Sequence, residues 1–481
     1  MTVAANIYSQ QASPTSILLR LALGEAPDTI PTVRDVSRRA QPAAFSIDGE
    51  GPIDRITNCL AGQFRAARLF PAAAHPPSRG ATHLGYDGIE HSTGMAGTLM
   101  LRVPVGTPVA DLCDALAQIS TVQSVSLNYV SQTPFDAGDP PHLPHRDDDG
   151  WNARRMVRLQ EALAIEPGDD GVIVGLIDSG VNGKHPELAQ TFRPGFDTVR
   201  LESNDVAAGI ELLGDHTAVD MRPRDVFVGH GMGCAGIIAA RGLGMPRGLG
   251  GACRILPMRA LAAAKLPNAK VVGIGAISDL DLALKLAVDL GAKIINMSFG
   301  TDDSAILPNS PKPHADTIAY AIARGCILIE ASGNNGRETR YWPAAFPEVI
   351  AVGAVNDSRM PASFSTKGDH VSLCAPGQKI LTAAVDGYQS ASGTSFAAPF
   401  VAAAAALLVA RSHRRARPID AAAVQRILVA TAQPFAANVD MTGHGAGILD
   451  AAAALAALDR EIDQIPGYST EPDANGGADD G

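Results

Sequence analysis

The sequence predicts an α/β protein: a three-layer α/β/α sandwich with a mostly parallel sheet, preceded by a small α+β ferredoxin-like domain. Three observations point there. After residue 150, continuous apolar runs at 172–177, 293–297, 326–330 and 349–355 alternate with helical stretches at 280–290 and 315–323. A strand that is apolar on both faces must be covered on both faces, and helices between such strands supply the cover. The first third keeps a different rhythm, strand, helix, two strands, helix, strand. Finally, 481 residues exceed one compact domain and suit two.

In chain order, the N-terminal strands are expected at 16–23, 65–70, 98–105 and 122–130, with helices at 53–60 and 109–119. In the second helix Leu112, Leu116 and Ile119 recur at helical spacing. Residues 131–150 hold four prolines, two histidines and the acidic run Asp147, Asp148 and Asp149, and read as exposed irregular chain open to proteolysis. The expected organisation is a first domain over 1–135 with an N-terminal extension, a linker over 136–150, a main domain over 151–460, and a disordered acidic tail over 461–481.

The formal net charge of -11 argues against a nucleic-acid partner, because phosphates need a basic face. It supplies no polybasic membrane anchor either, and reads as solubility. The longest apolar run, 396–410, is shorter than a membrane span needs and contains Pro399, so a buried helix is expected. The first basic residue, Arg20, falls inside the N-terminal apolar stretch, which is not the layout of a secretory signal. The expected location is therefore cytoplasmic, with secretion as the alternative. Cys59, Cys113, Cys234, Cys253, Cys326 and Cys374 show neither a CxxC metal pair nor a small-scaffold framework. Reduced thiols are expected.

Four motifs carry chemistry. Asp178, in Ile177-Asp178-Ser179-Gly180, stands at the C-terminal end of a predicted buried strand, the edge at which open α/β sheets build their sites. His230 lies between Gly229 and Gly231 at the start of a helical run, where the glycines allow close approach. Ser395, in Ser392-Gly393-Thr394-Ser395-Phe396, precedes a long apolar helix whose free N–H groups favour negative charge. Asn334, in Ser332-Gly333-Asn334-Asn335-Gly336 after another buried strand, offers an amide donor to a developing oxyanion. Each motif alone has a plainer reading: a strand-end turn for Asp178, a helix cap for Ser395. His185 precedes Pro186 and reads as a turn residue, and His216 sits in a charged irregular stretch. Ser395 is not in a GxSxG elbow.

Together, in the order Asp, His, Ser, these motifs with HPEL (185–188) and NMSFG (296–300) resemble the subtilase family from about residue 151 to 458. The resemblance implies a subtilisin-like sandwich and a serine endopeptidase acting through an acyl-enzyme. It implies Ser395 as nucleophile, His230 as general base and then acid, Asp178 as its partner, and Asn334 in the oxyanion hole. It assigns substrate binding to Ser298, Phe299, Gly300, Ser332 and Gly333, with an extended peptide or protein substrate pairing against the 298–300 segment. The N-terminal domain then resembles the propeptide, an intramolecular inhibitor of a zymogen cut somewhere in 131–150.

The family pattern needs no cofactor for catalysis, and many members bind structural calcium. Glu187 stands where such members place a calcium-binding acid, but residues 241–251 contain no Asp, Asn or Glu. Calcium requires several oxygen ligands, so the sequence argues against that site. The usual Thr after His-Gly is Met232, and the frequent Met after the nucleophile is Phe396. Cys234, one turn past His230, reads as a small buried apolar residue rather than a redox-sensitive thiol. Two rival functions remain: a dedicated intracellular protease that trims one precursor, and a catalytically silent peptide-binding module.

Overall fold

A computed structural model describes residues 12–73, 85–133, 136–137, 149–217, 219–436 and 440–464. Its first strands are β1 (Ala12–Leu21), β2 (Arg65–Arg68), β3 (Thr98–Arg102) and β4 (Val122–Gln132), antiparallel in the order β2-β3-β1-β4. Helices α1 (Pro52–Ala61) and α2 (Val109–Leu116) bury Ile53, Leu112 and Leu116 with Ile17, Leu19, Leu99 and Leu101 of the sheet. Proline at the start and Gly62 at φ +76° just past the end mark α1 as a helix with conventional stops.

β4 outruns its expected end at residue 130. Val130, Ser131 and Gln132 pair antiparallel with Ala276, Gly275 and Ile274. The N-terminal sheet therefore continues into a hairpin that belongs to the second half of the chain, a junction that no local pattern predicts.

After β5 (Asp136–Ala137) the strands are β6 (Ile173–Asp178), β7 (Phe196–Asp197), β8 (Glu211–Leu213), β9 (Arg254–Arg259), β10 (Ala262–Lys265), β11 (Val271–Ala276), β12 (Ile294–Met297), β13 (Ile327–Ala331), β14 (Val349–Val355), β15 (Val371–Pro376), β16 (Ile380–Ala383) and β17 (Tyr388–Ser392). Seven of them form a parallel sheet in the order β15-β14-β13-β12-β6-β9-β7. One face packs against α3 (His230–Ala239), α6 (Ala398–Arg414) and α7 (Ala451–Asp463). The other packs against α4 (Ile277–Asp289) and α5 (Ala315–Ala323), in a core continuous with that of β1–β4. This is the expected three-layer arrangement, and α7 carries it past residue 460. The stretch Thr394–Arg414 is long and apolar enough to cross a membrane, yet 94% of its apolar window is buried. It is the central core helix.

Polar groups also cross between the two parts. Asn128 of β4 caps α4, its Oδ1 accepting the Ser278 N–H at 3.1 Å. Arg102 of β3 lies 3.0 Å from Asp205, which also accepts from Ser13 and Thr15. Lys285 of α4 is fully buried, with Glu90 and Asp289 each at 2.7 Å. Removing one partner of a buried pair strands the other charge in low dielectric. Glu90→Ala is thus expected to lower unfolding free energy by about 3 kcal/mol, at the low end for buried pairs because Asp289 remains. Urea unfolding of full-length wild type and variant checks this.

Candidate active site

Parallel strands end together, so the carboxyl edge of the sheet gathers the residues that follow them. Asp178 is the last residue of β6, and His230 is the first of α3, whose Gly229 cap has φ +76°. Asp178 and His230 are 1% and 0% exposed, and the His230 Nδ1 lies 2.7 Å from Asp178 Oδ1 and 2.9 Å from Oδ2. Gly231 is required at this crossing, because a Cβ there would meet the Gly180 carbonyl at 2.3 Å. Ser395 sits in a single 3₁₀ turn, Thr394–Phe396, that feeds into α6; the sequence had placed it directly at the α-helix start. The Cys234 thiol donates to the Ser395 carbonyl at 3.3 Å, and the Phe396 ring lies 5.2 Å from the imidazole of His230. Asp178, His230 and Cys234 converge within 4.8 Å. Burial, with Asp178 beside it, pushes the Cys234 thiol well above its usual pKa and keeps it neutral.

Two residues that the motifs did not single out hold this pair. Ser179 Oγ donates to Asp225 at 2.7 Å and accepts the Gly231 N–H at 3.0 Å, tying the end of β6 to the start of α3. Asp225 also accepts the N–H groups of Phe227, Val228 and Gly229, which fixes the turn leading into His230. Burial raises the Asp225 pKa against the pull of these donors. An Asp four residues ahead of Gly229 was a readable turn signal, but in a charged irregular stretch it did not stand out.

Asn334 follows β13. Its Oδ1 accepts from the Thr394 backbone at 2.8 Å and the Thr394 hydroxyl at 3.0 Å, so the amide nitrogen occupies the opposite end of the group. Ser298, Phe299, Gly300, Gly333, Asn334 and Ser395 line one cavity of about 360 Å³, together with Thr394 and Tyr341. Ser332 does not line it: this residue is fully buried, with its hydroxyl donating to the Thr366 carbonyl at 3.1 Å and its N–H to Val352. The alternation of an extended chain turns it away from its neighbours. His185 and His216 bond the carbonyls of Gly387 and Leu201.

Glu187 accepts the N–H groups of Gly242, Leu243, Gly244 and Met245 and the Tyr388 hydroxyl. Calcium needs six to eight oxygens, whereas this loop aims amide hydrogens at the carboxylate, so the residues do not fit the ion.

A buried Asp–His pair at the carboxyl edge of a parallel sheet, with Ser395 following in the order Asp, His, Ser, is the layout of the subtilisin class of α/β folds. The subtilase family profile matches residues 169–455, more than half of the chain, and the protein belongs to that family. It is similar to the thermophilic serine proteinase of Bacillus sp. (strain AK1), 34% identical over 257 residues, or 52% of this chain and 55% of the relative. Thermitase of Thermoactinomyces vulgaris is 31% identical over 54% of this chain and 82% of its own length. The chain thus spans about half the length of the first of these relatives. Among solved structures, the prenylagaramide maturation protease PagA has a TM-score of 0.51 and 28% identity, covering 63% of this chain and 98% of its own. Residues 12–133 lie outside the matched family region.

Burial works to raise the Glu187 pKa, but the four backbone donors outweigh it and hold the carboxylate below its usual range. A depressed folded pKa gives stabilisation that is complete above the unfolded value and lost as the pH falls through the folded one. Amide protection at residues 242–245, corrected for the intrinsic exchange rate, should be unchanged by EDTA at neutral pH and should be lost as the pH falls below the usual carboxylate range. Acceleration by EDTA at neutral pH would show that a metal holds this loop.

Proposed function

We propose that the chain is a serine endopeptidase made as a zymogen, with a ferredoxin-like pro-domain over its first 135 residues. The observation that carries this is the buried Asp178–His230 bond set against the Ser395 turn. Ser395 Oγ attacks the scissile carbonyl while His230 takes its proton, and the resulting acyl-enzyme is then hydrolysed by water. His230 returns the proton to the leaving amine. Asp178 orients the imidazole and stabilises its cation. Asn334 and the Ser395 N–H donate to the oxyanion, and the 298–300 segment pairs with extended substrate. No cofactor enters these steps.

The zymogen reading is supported by the path of the chain itself. The antiparallel order β2-β3-β1-β4, with α1 and α2 among the helices joining these strands, supports a ferredoxin-like unit. On one side of Ser395, Ser131 pairs with Gly275, and the Thr133 N–H donates to Gly273 at 2.9 Å. On the other side, Asp136 pairs with Ser392, three residues before Ser395. Residues 130–133 and 136–137 thus pair in extended form, as an extended substrate would. Local sequence signals limit the cut only to 131–150; this register favours one of the three peptide bonds between Thr133 and Asp136.

Intact-mass measurement of purified wild type beside Ser395→Ala tests the proposal. Wild type should lose an N-terminal fragment ending at residue 133, 134 or 135, and the variant should stay whole. Loss of the same fragment from both would sink self-maturation, and failure of Ser395 to react with a fluorophosphonate would favour a silent peptide-binding module. In the matured enzyme, Asn334→Ala is expected to lower kcat by about 10²–10³-fold, the loss measured for the oxyanion-hole donor of subtilisin itself. Similarity to a maturation protease favours a second reading, an enzyme that trims one precursor. Cleavage of casein would count against it.

A further inference from the structure

β12 and β13 run side by side as far as Met297 and Glu330, and there their ladder ends. Beyond that point the chains part around the cavity, with Phe299 and Gly300 on one wall and Ala331, Gly333 and Asn334 on the other. Parting strands leave backbone donors without ladder partners. The Ser332 N–H faces β14, donating to Val352, so the Ala331 N–H faces the gap. Both donors at the fork, Phe299 N–H at 3.1 Å and Ala331 N–H at 3.0 Å, go to the same oxygen, Glu330 Oε1. Glu330 is fully buried, and its Oε2 has no hydrogen-bond partner among the described residues. An acid in so dry a place is costly unless its contacts require it.

We propose that Glu330 is a positioning residue for peptide hydrolysis, whose single bridging oxygen fixes the separation between the 298–300 substrate strand and the strand that carries Asn334. It touches neither substrate nor reacting atoms. It acts through Phe299 and Ala331, setting the gap across which the scissile carbonyl must reach both Ser395 and Asn334. A misplacement of about 1 Å at such a gap can slow reaction a hundredfold. Burial raises the Glu330 carboxyl well above the usual range, so an uncharged acceptor suffices. Glutamine, with a carbonyl at the same reach, should therefore replace it, whereas methionine, similar in length but without an acceptor, should not.

The inference rests on the peptidase reading, so the test uses the full chain with self-cleavage as readout, followed by intact mass, with thermal unfolding measured in parallel. Glu330→Met is expected to slow the cut between Thr133 and Asp136 by 10–100-fold while still unfolding cooperatively. Glu330→Gln should cut within about threefold of wild type from pH 6 to 9. Glu330→Asp, which withdraws the oxygen by one methylene, should slow the cut and supplies the test if the Met variant does not fold. Wild-type rates in Met or Asp overturn the proposal, as does a Gln variant that folds but cuts as slowly as Met. A wild type that neither cuts itself nor reacts with fluorophosphonate would instead remove the peptidase reading on which the proposal stands.

Discussion

The hydrogen bond between Asp178 and His230 is the constraint around which the rest of the site is arranged. Both side chains are withdrawn from water, and a buried polar pair of this kind is favourable only with near-ideal geometry. That geometry needs two unrelated elements to stop at the right residue. β6 must end on Asp178, and α3 must begin on His230, since a slip of one residue would rotate the imidazole by about 100° around the helix. Ser179 and Asp225 prevent the slip by joining the strand end to the helix start. Gly231 allows the two backbones to meet at all.

A second regularity follows. Where the backbone leaves helix and ladder, this chain repeatedly uses a buried carboxyl group to collect the stranded N–H groups. Asp225 gathers three before His230, Glu187 gathers four after α3, and Glu330 takes two at the fork between β12 and β13. One acceptor with several lone-pair sites satisfies donors that converge from an irregular loop, which a single carbonyl does less well. At Glu187 the same device replaces the cation that the sequence position suggests, because a loop pointing its amides inward has reversed the sign of charge it can hold.

What was legible in the sequence was whatever depends on neighbours in the chain. Asp178 after an apolar run, His230 between glycines and Ser395 before an apolar helix each carry their structural context within a few residues, so both the sandwich and the strand end, helix start and helix approach on which these residues lie could be read. Glu330 could not, because its role depends on Phe299, thirty-one residues away, and on where two strands part. Ser332 was misjudged for the opposite reason: it sits between site residues in sequence, but strand alternation turns it inward. The extension of β4 across to β11 was invisible because its partner edge is more than one hundred residues distant.

Under the zymogen reading proposed above, that extension bears on how the first domain would inhibit the enzyme it is joined to. Backbone pairing along β11 is available to any extended peptide, so a cleaved strand held by it alone would leave as readily as any product. Holding it requires contacts that a substrate lacks. Arg20 on Asp316, Asn128 on the start of α4 and the buried Glu90–Lys285 pair all lie outside the cleft, on the surface of β1–β4 and its adjoining loops. Each raises the effective concentration of the strand at β11 without adding to what the cleft itself recognises. Inhibition and substrate recognition can then share one edge while differing in strength, because the difference is stored where no substrate reaches.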